Sequence, residues 1–368
     1  MKAYVILVMA LLVLAVVPVV MAVQVGSGIT PTIETEKFAP LVFMCDHRVV
    51  YDDNTEPGRT SDGGQTLVER VNNYAFEGEQ ISWKVLVVDK NGIDKVNDVF
   101  GTVGDSQGEG SDIEVNCKPI LGHERDFSHD GGIDRSCNAR IGEEVLHEFN
   151  SEIMAYYECT LTVETPESMH GEYWITVEAV DMDDLSGTMA ENEFWFLNPV
   201  ISLDVAGDMT FENVRPGSDA YSGTLTVGNA AEDGSGVMLD MFISGTDFYD
   251  SSSSGAKCPD TNQLSLENFR YFATNGAYST QNDMGIGRGP RAKDAEGYVG
   301  IGYGVGFNNP NPFYNGYEIL QAQEVRPYYT ANVLAPGAEM ALTFKLSMPE
   351  PCNGDFDTGQ IMFYGEAI

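Results

Sequence analysis

The sequence predicts an all-β protein made of two antiparallel β-sandwich domains. Short runs rich in β-branched and aromatic residues recur along the chain between Gly, Asp, Asn and Pro, as strands do. Several runs alternate apolar and polar residues with period two, which is typical of strands buried on one face. The sequence lacks the long runs with helical periodicity that would separate the strands of a βαβ enzyme.

The first domain is predicted over residues 38–198 as an immunoglobulin-like sandwich. Leu161 and Val163 point to one face of a predicted strand, while Thr160, Thr162 and Glu164 point to the other. The predicted strands cover residues 81–89, 112–117, 157–165, 173–181 and 193–198, and the best short helix candidate covers residues 142–149.

The second domain is predicted over residues 199–368 as a jelly-roll-like sandwich that begins at the Asn-Pro pair at 198–199. It contains two Pro-Gly pairs, at 216–217 and 336–337, and each precedes an alternating strand pattern. Pro fixes φ at the value that a turn needs, and Gly accepts the positive φ of the next position. We therefore interpret the two pairs as two corners of one sandwich, each of which delivers a strand to the sheets.

Residues 1–22 predict a secretory signal peptide, because one Lys precedes an apolar run that ends in a small residue, Ala22. The same run is about long enough to span a membrane if it is retained, although Pro18 interrupts it near its end. An extended leader is predicted over residues 23–37. We therefore expect a secreted protein at the extracellular cell surface that is not embedded in a membrane after cleavage.

The composition is strongly acidic, with 56 Asp and Glu against 20 Lys and Arg and a formal net charge of -36. Nucleic acid is excluded as a partner, because its phosphates need Lys and Arg. Two causes of the acidity fit, namely a saline habitat or a surface that collects divalent cations. Hydrophobic residues make up 43% of the chain, which is too many for a disordered acidic tail.

The six cysteines are expected to form disulfides, since their number is even and the signal peptide implies an oxidising compartment. The two cysteines after residue 200 would close the second domain, and their alternative is two free thiols. The four before it allow three sets of pairs, of which we favour the one that joins two strand-like runs. The favoured pairs are Cys258–Cys352, Cys117–Cys159 and, by default, Cys45–Cys137.

Two acidic loops that follow predicted strands are candidate calcium sites. Calcium takes six to eight oxygen ligands, and loops with closely spaced Asp and Asn supply them. The loops do not match the spacing of an EF-hand, and in so acidic a chain such loops also arise from abundance alone. The candidate ligands are Asp89, Asn91, Asp94 and Asp98 in the first loop and Asp181, Asp183 and Asp184 in the second. Calcium is the one cofactor that the sequence suggests.

Residues 271–320 form a Gly-, Tyr- and Asn-rich segment, which we interpret as a long insertion in the second domain. Tyr and Phe offer flat contact area, and Asn and Gly offer adaptable hydrogen bonds, so the segment fits a recognition surface for carbohydrate or a neighbouring subunit. The alternative is that its tyrosines pack down a loop that covers the sheet edge. The candidate binding residues are Tyr298, Tyr303, Phe307, Phe313, Tyr314 and Tyr317.

The second domain resembles known surface proteins at one short pattern. Asn-Val-Arg-Pro-Gly at 213–217, followed by Thr-Leu-Thr-Val-Gly-Asn at 224–229, is similar to the secreted sandwich domains of cell-surface and matrix proteins. Biofilm-fibre proteins of the TasA type and archaeal pilus subunits share this style. Residues 171–188 resemble the last strand of an immunoglobulin-like domain with its acidic loop. Together they resemble secreted proteins of archaea, which implies a sandwich fold and a surface or matrix role.

The sequence motifs predict that the protein is not an enzyme. His123 and His129 share a polar loop, but the zinc-protease pattern and the phosphate-binding loop are absent. We also expect no Gly-x-Ser-x-Gly nucleophile elbow. The predicted function is an extracellular structural or adhesive protein that assembles with itself or with other surface proteins, with calcium screening its charge. Exposed strand edges would accept a neighbour's strand, for which the leader is a candidate donor. The alternative is a carbohydrate-binding module that uses the 271–320 segment, and a secreted hydrolase with paired carboxylates is the third class.

Overall fold

The computed structural model describes residues 36–51, 67–68, 72–106, 113–120, 132–138, 148–189, 193–252, 255–283, 292–304, 317–325 and 328–368. The chain divides into two units, Met1–Lys37 and Phe38–Ile368, and nearly all of the described residues belong to the second. The predicted signal peptide, nearly all of the leader and most of the predicted helix at 142–149 lie outside the described residues. In the part of the chain that is described, no helix is long and apolar enough to cross a membrane.

Ten strands of the unit Phe38–Ile368 form one sheet in the order β2-β1-β4-β7-β6-β5-β8-β10-β3, with β9 beside β8. Neighbouring strands are antiparallel, except for the short parallel pair of β3 and β10. The strands are β1 (Leu41–Tyr51), β2 (Leu67–Val68), β3 (Tyr74–Ala75), β4 (Gln80–Val88), β5 (Val96–Gly104), β6 (Ile113–Pro119), β7 (Met154–Thr162), β8 (Gly171–Asp181), β9 (Ser186–Thr188) and β10 (Glu193–Leu197).

This sheet folds over itself into a sandwich. Apolar side chains of β4, among them Trp83, share one buried cluster with side chains of β8, such as Ile175, although three strands separate β4 from β8 in the sheet. Trp195 of β10 is fully buried in the same cluster. Two sheet faces in contact exclude water from both apolar sides, which is the main stabilising contribution to such a domain.

Strand β4 is buried on both faces. Its opposite face, with Leu86 and Val88, packs against a smaller cluster that contains the Cys45–Cys137 disulfide. We call residues 132–138, which cover this face and include the four-residue helix Arg135–Asn138, the flap. Burial on two sides explains why the sequence of β4 is a nearly continuous apolar run.

Fifteen further strands build the second part of this unit. Six of them form a sheet in the order β11-β12-β24-β16-β17, with β18 beside β16, and β19, β20, β23 and β25 pair with β13 in a five-stranded sheet. The strands are β11 (Leu203–Ala206), β12 (Asp219–Asn229), β13 (Leu239–Gly245), β14 (Phe248–Tyr249), β15 (Gln263–Leu264), β16 (Phe269–Asn275), β17 (Tyr278–Ser279), β18 (Val299–Gly300), β19 (Gly302–Tyr303), β20 (Tyr317–Glu318), β21 (Glu324–Val325), β22 (Tyr328–Tyr329), β23 (Val333–Leu334), β24 (Glu339–Ser347) and β25 (Ile361–Ala367). Short 3-10 helices cover Ile93–Lys95, Leu266–Asn268, Thr280–Asn282 and Thr330–Asn332.

The six- and five-stranded sheets enclose one apolar core. Alternate residues of β24, such as Leu342 and Phe344, meet alternate residues of β13, such as Met241. Tyr74 of β3 belongs to the same cluster, and its hydroxyl donates a hydrogen bond to the carbonyl of Ile368. The predicted all-β class with sandwich domains is therefore confirmed. The last strand of the first part ends at Leu197, and the first strand of the second part begins at Leu203. The predicted domain boundaries stay a prediction.

The two Pro-Gly pairs lie at opposite ends of two neighbouring strands. Gly217 and Gly337 have φ of 74° and 75°, values that a residue with a Cβ rarely adopts. The backbone N–H of Gly217 donates to Met348 at the end of β24, and that of Gly337 donates to Asn229 at the end of β12. The corner before β12 is thus hydrogen-bonded to the residue after β24, and the corner before β24 is hydrogen-bonded to the last residue of β12. Between the two corners, β12 and β24 pair with each other.

The structure contains the disulfides Cys45–Cys137, Cys117–Cys159 and Cys258–Cys352, which are the favoured pairs. It differs from the interpretation of residues 271–320 as one insertion. Most of β16, a strand hydrogen-bonded to β24 inside the six-stranded sheet, lies within these residues. Strands β17 to β20 also lie there, so this segment contributes strands to both sheets.

Candidate functional site

The two acidic loops meet at one end of the first sandwich. Val96, at the start of β5, pairs with Asp181, at the end of β8. The backbone N–H of Met182 donates to the carbonyl of Lys95 over 2.8 Å. The loop at residues 89–98 and the loop at residues 181–185 are therefore direct neighbours, although more than 80 residues separate them in the sequence.

The first acid of each loop is buried and closes a turn. Asp89 Oδ1 accepts from the N–H of Asn91 at 2.7 Å. Asp181 Oδ1 accepts from the N–H groups of Asp183 and Leu185, each at 2.8 Å. An Asp that follows a strand commonly binds the backbone two residues on in this way. These contacts give both acids a structural role that needs no metal.

The remaining calcium candidates lie around these two buried acids. Asn91 Oδ1 accepts from the N–H of Phe38 at 2.7 Å. The other candidates, Asp94, Asp98, Asp183 and Asp184, are exposed. Within the described residues, no group of three His, Cys, Asp or Glu side chains is placed to hold one metal ion. Calcium binding at these loops stays a prediction. Asp89 Oδ2 is buried and accepts no hydrogen bond within the described residues.

The candidate aromatic residues divide between the two sheets of the second sandwich. Tyr298 packs against Tyr221 and Phe272 on the outer face of the six-stranded sheet. Tyr303 and Tyr317 lie on β19 and β20, which both pair with β13 in the other sheet. The remaining candidates, Phe307, Phe313 and Tyr314, lie outside the described residues. The described aromatic side chains therefore do not form one continuous face.

A cluster of acidic and aromatic side chains surrounds Lys345 on the outer face of the six-stranded sheet. Lys345 Nζ lies 3.0 Å from a carboxylate oxygen of Glu296, 3.1 Å from one of Asp294 and 3.2 Å from one of Asp219. The rings of Tyr221 and Tyr298 lie beside the same ammonium group, each with its centroid 5.8 Å from Nζ. Sequence analysis missed this cluster, although a lone Lys within the apolar alternation of β24 was the available signal.

The Lys345 cluster fastens residues 292–298 to the sheet. Burial acts to lower the pKa of Lys345, but its hydrogen bonds to Glu296, Asp294 and Asp219 outweigh this effect and raise the pKa above its ordinary value. Asp294 Oδ1 also accepts from the N–H groups of Glu296 and Tyr298, each at 2.9 Å. The three N–H donors of the Lys345 ammonium group are thus all used within the protein, so we interpret the cluster as a structural contact and not as a ligand-binding site.

Residues 104–108, Gly-Asp-Ser-Gln-Gly, match the Gly-x-Ser-x-Gly spacing of a hydrolase nucleophile elbow, so the expectation that the chain lacks this motif is wrong. An elbow requires a sharp turn from a strand into a helix. Here Gly104 ends β5, Ser106 is exposed, and the described chain resumes as β6, the antiparallel neighbour of β5. The segment therefore connects two paired strands, which is not the context that an elbow needs. The prediction that the protein is not an enzyme stays untested.

Strand β11 lies at an edge of the six-stranded sheet. It pairs with β12 on one side, and no described strand pairs with its other side. The side chains on and just before this strand are exposed, including Val200 at 59%, Ile201 at 41% and Val205 at 47% of their surface. An exposed edge strand that carries Val205, with Val200 and Ile201 just before it, is a template for pairing with another strand. We call residues 200–206 the β11 edge.

Comparison with known proteins finds no matching protein family and no matching curated protein. Among solved structures, the chain is similar to the C-terminal domain of the Streptococcus pyogenes antigen I/II-family protein AspA, with 12% identity and a TM-score of 0.33 over 90% of this chain and 97% of that one. It is also similar to the C-terminal domain of the Streptococcus agalactiae AgI/II polypeptide BspA, with 9% identity and a TM-score of 0.32 over 89% and 97% of the chains.

A third similar structure is a chaperone-tip adhesin complex of CFA/I fimbriae biogenesis, with 8% identity and a TM-score of 0.22 over 91% of this chain and 87% of that one. TM-scores and identities this low carry no inference about the function or the partners of this chain.

Proposed function

We propose that this protein is an extracellular structural or adhesive surface protein that associates with copies of itself through the β11 edge. The observation that supports this proposal is the open side of β11 together with its exposed apolar side chains. Natural proteins protect long apolar edges, because unpaired backbone N–H and C=O groups recruit other strands. An edge left apolar therefore favours a partner that covers it.

The predicted leader of a second copy is the occupant that fits this edge best. Two β11 edges in contact would bring Asp204 of one copy close to Asp204 of the other, in a chain that already carries a formal charge of -36. The leader carries only Glu34, Glu36 and Lys37 as charged residues. Its apolar residues at 23, 25, 29 and 33 all fall on one side of a period-two pattern, as a strand added to an edge requires.

An extracellular location is consistent with the covalent structure. Three disulfides join six cysteines, and no cysteine is left free in the described residues. Disulfides form and persist in oxidising compartments, outside the cell or in equivalent spaces. The strongly acidic composition adds solubility, and it makes association depend on the salt that screens it. Calcium binding to the acidic loops would contribute the same screening.

The test compares the molar mass of edge variants by light scattering after size exclusion. Val205→Lys places a charge on the β11 edge, and we expect it to reduce the associated fraction of a chain that begins at residue 23. Met182→Lys is the matched control, because Met182 is equally an exposed apolar residue but lies at the acidic end of the first sandwich. Deletion of residues 23–36 should abolish association if the leader is the donor. Unchanged association of Val205→Lys would contradict the proposal.

A carbohydrate-binding function is the second candidate, and one observation favours it. Tyr303 and Tyr317 lie on β19 and β20, which both pair with β13, and Tyr303 is exposed with its hydroxyl 2.9 Å from Ser265 Oγ. Flat aromatic rings of this kind suit sugar faces. A glycan array without hits, or hits that Tyr303→Ala and Tyr317→Ala leave unchanged, would remove this candidate.

A further inference from the structure

Lys84 lies between strand β4 and the flap, opposite a carboxyl group of the flap. Its side chain is 5% exposed, and its Nζ is 3.7 Å from Oδ2 of Asp134, whose side chain is 18% exposed. Lys84 and the Cys45–Cys137 disulfide thus contact the same seven-residue flap from the same side of the sheet. An amine and a carboxyl group of two distant chain segments are held almost in contact with little water around them.

The Asp134 carboxyl group is fixed in its orientation. Its Oδ1 accepts from the N–H of Ser136 at 3.0 Å and from the Ser136 hydroxyl at 2.9 Å. Its own backbone N–H donates to the hydroxyl of Tyr156, a buried residue of β7, at 2.9 Å. With Oδ1 engaged in this way, Oδ2 is the oxygen that faces the amine.

The surroundings favour the uncharged amine more than water does. Burial lowers the pKa of Lys84, while the charges of Asp134 and Glu158 act in the opposite direction without cancelling this effect. In a site of low polarity, transfer of one proton from the ammonium to a carboxylate removes two buried charges at once. A neutral amine next to a neutral carboxylic acid is the pair from which an amide forms.

We propose that Lys84 and Asp134 are a modification site, at which the two side chains condense into an intramolecular amide bond. The Nζ lone pair forms a bond to the Asp134 carboxyl carbon, and the bond from this carbon to Oδ2 breaks. The oxygen leaves as water, with the proton of the carboxylic acid and one proton from the amine. The second amine proton stays on the amide nitrogen, so the reaction needs no oxidant, reductant or other reactant.

Glu158 is placed to relay the proton. It is the cross-strand partner of Lys84 in the pairing of β4 with β7, and its carboxylate accepts from the Ser82 hydroxyl at 2.8 Å. Directly opposed side chains on paired strands lie within reach of each other. Its role is to take the proton from the attacking nitrogen and return it to the leaving oxygen. Holding amine and carboxyl in contact replaces an encounter in solution, which accelerates such a condensation strongly.

The amide would attach the flap covalently to β4, in addition to its disulfide with β1. Unlike the disulfide, the amide would resist reducing agents. Cys45–Cys137 already ties the flap to β1, and Cys137 is three residues from Asp134 in the sequence. This inference stands apart from the proposed association through the β11 edge, because neither residue belongs to that edge. Loss of the amide would leave edge pairing intact, and loss of edge pairing would leave the amide intact.

The test is the intact mass of the purified protein after complete reduction and alkylation. We expect the mass to be lower than that of the sequence by one water molecule. After proteolysis, the peptides that contain Lys84 and Asp134 should remain joined as one branched species under reducing conditions. Lys84→Arg and, separately, Asp134→Ala should restore the full mass, and Glu158→Gln should slow formation of the joined species in freshly made protein.

Lys345 and Asp294 provide the control inside the same molecule. They form a Lys–Asp pair with a shorter separation of 3.1 Å, but the ammonium of Lys345 is shared among three carboxylates and keeps its charge. Their peptides should therefore separate. A wild-type mass that equals the sequence mass overturns the proposal, as does a lost water that maps to any other position. The wild-type measurement decides the question even if a variant does not fold.

Discussion

Replacement of Asp240 by Asn should stabilise this protein, and the gain should grow with pH. Asp240 lies on β13 with only 5% of its surface exposed, and Asn332 donates to its Oδ1 at 2.6 Å. Burial, together with the nearby charges of Glu318 and Glu366, raises the pKa of Asp240 from 3.8 to about 7, although the hydrogen bond from Asn332 acts against this rise. The folded protein therefore holds the proton of Asp240 more tightly than the unfolded chain does.

The sign and the size of the effect follow from this difference in pKa. A carboxyl group whose pKa is raised in the folded state reduces stability as the pH rises from 3.8 towards 7, and the loss is complete above that. At about 1.4 kcal/mol for each pKa unit, the full loss is on the order of 4 kcal/mol. Because Asn keeps the acceptor for Asn332 without a charge, Asp240→Asn removes most of this loss at pH 8 and only about 1–2 kcal/mol of it at pH 5.

The assay is urea-induced unfolding of wild type and variant, followed by circular dichroism at pH 5 and pH 8. We expect the unfolding midpoint of Asp240→Asn to exceed that of wild type at both pH values, with the larger difference at pH 8. Asp208→Asn is the control, since Asp208 is exposed and its replacement should leave both midpoints nearly unchanged. An advantage that is equal at the two pH values, or a less stable variant at pH 8, would contradict the raised pKa of Asp240 in the folded protein.

Two further substitutions test the packing of the sheets. Lys345→Met leaves the carboxylates of Asp219, Asp294 and Glu296 without their shared cation. We expect urea unfolding to show that the free energy of unfolding falls by about 1–3 kcal/mol, a loss that is moderated because two of the three acids are partly exposed. An unchanged free energy of unfolding would mean that the cluster does not hold residues 292–298 on the sheet. Gly187→Ala would place a Cβ 1.7 Å from the carbonyl oxygen of Pro40, so the thermal unfolding midpoint should fall by the equivalent of about 1–3 kcal/mol. Gly223→Ala is the control, because its Cβ would meet no atom closer than 3.6 Å and should change the midpoint little.

Local rules explain what the sequence could predict. The Pro-Gly corners follow from the backbone preferences of two residues, and Gly217 and Gly337 have the expected positive φ. The strand of β4 follows from its β-branched and aromatic composition, and the even number of cysteines in an exported chain indicates disulfides. In each case the information lies within a few neighbouring residues, or in a count over the chain.

Contacts between distant segments could not be predicted in this way. Each acidic loop is visible in the sequence, but their meeting depends on the pairing of β5 with β8. Lys345 joins acids that lie about 50 and more than 100 residues away, and in a chain with 56 acids no pattern marks these three. The same holds for β16, whose place beside β24 is decided by non-local pairing and not by the Gly-rich composition of the residues that follow it.

Association through the β11 edge is tested most directly by the molar mass of the wild-type chain from residue 23, measured by light scattering over a range of concentrations. The measurement is made at low salt, at high salt, and with millimolar calcium against sodium chloride of the same ionic strength. If the β11 edge recruits a second copy, the molar mass rises with concentration and with salt, because salt screens the acidic charge, which is 19 - 56 = -37 in the chain without Lys2. A further rise specific to calcium would support cation binding at the acidic loops. A monomer under every condition would contradict association through the β11 edge.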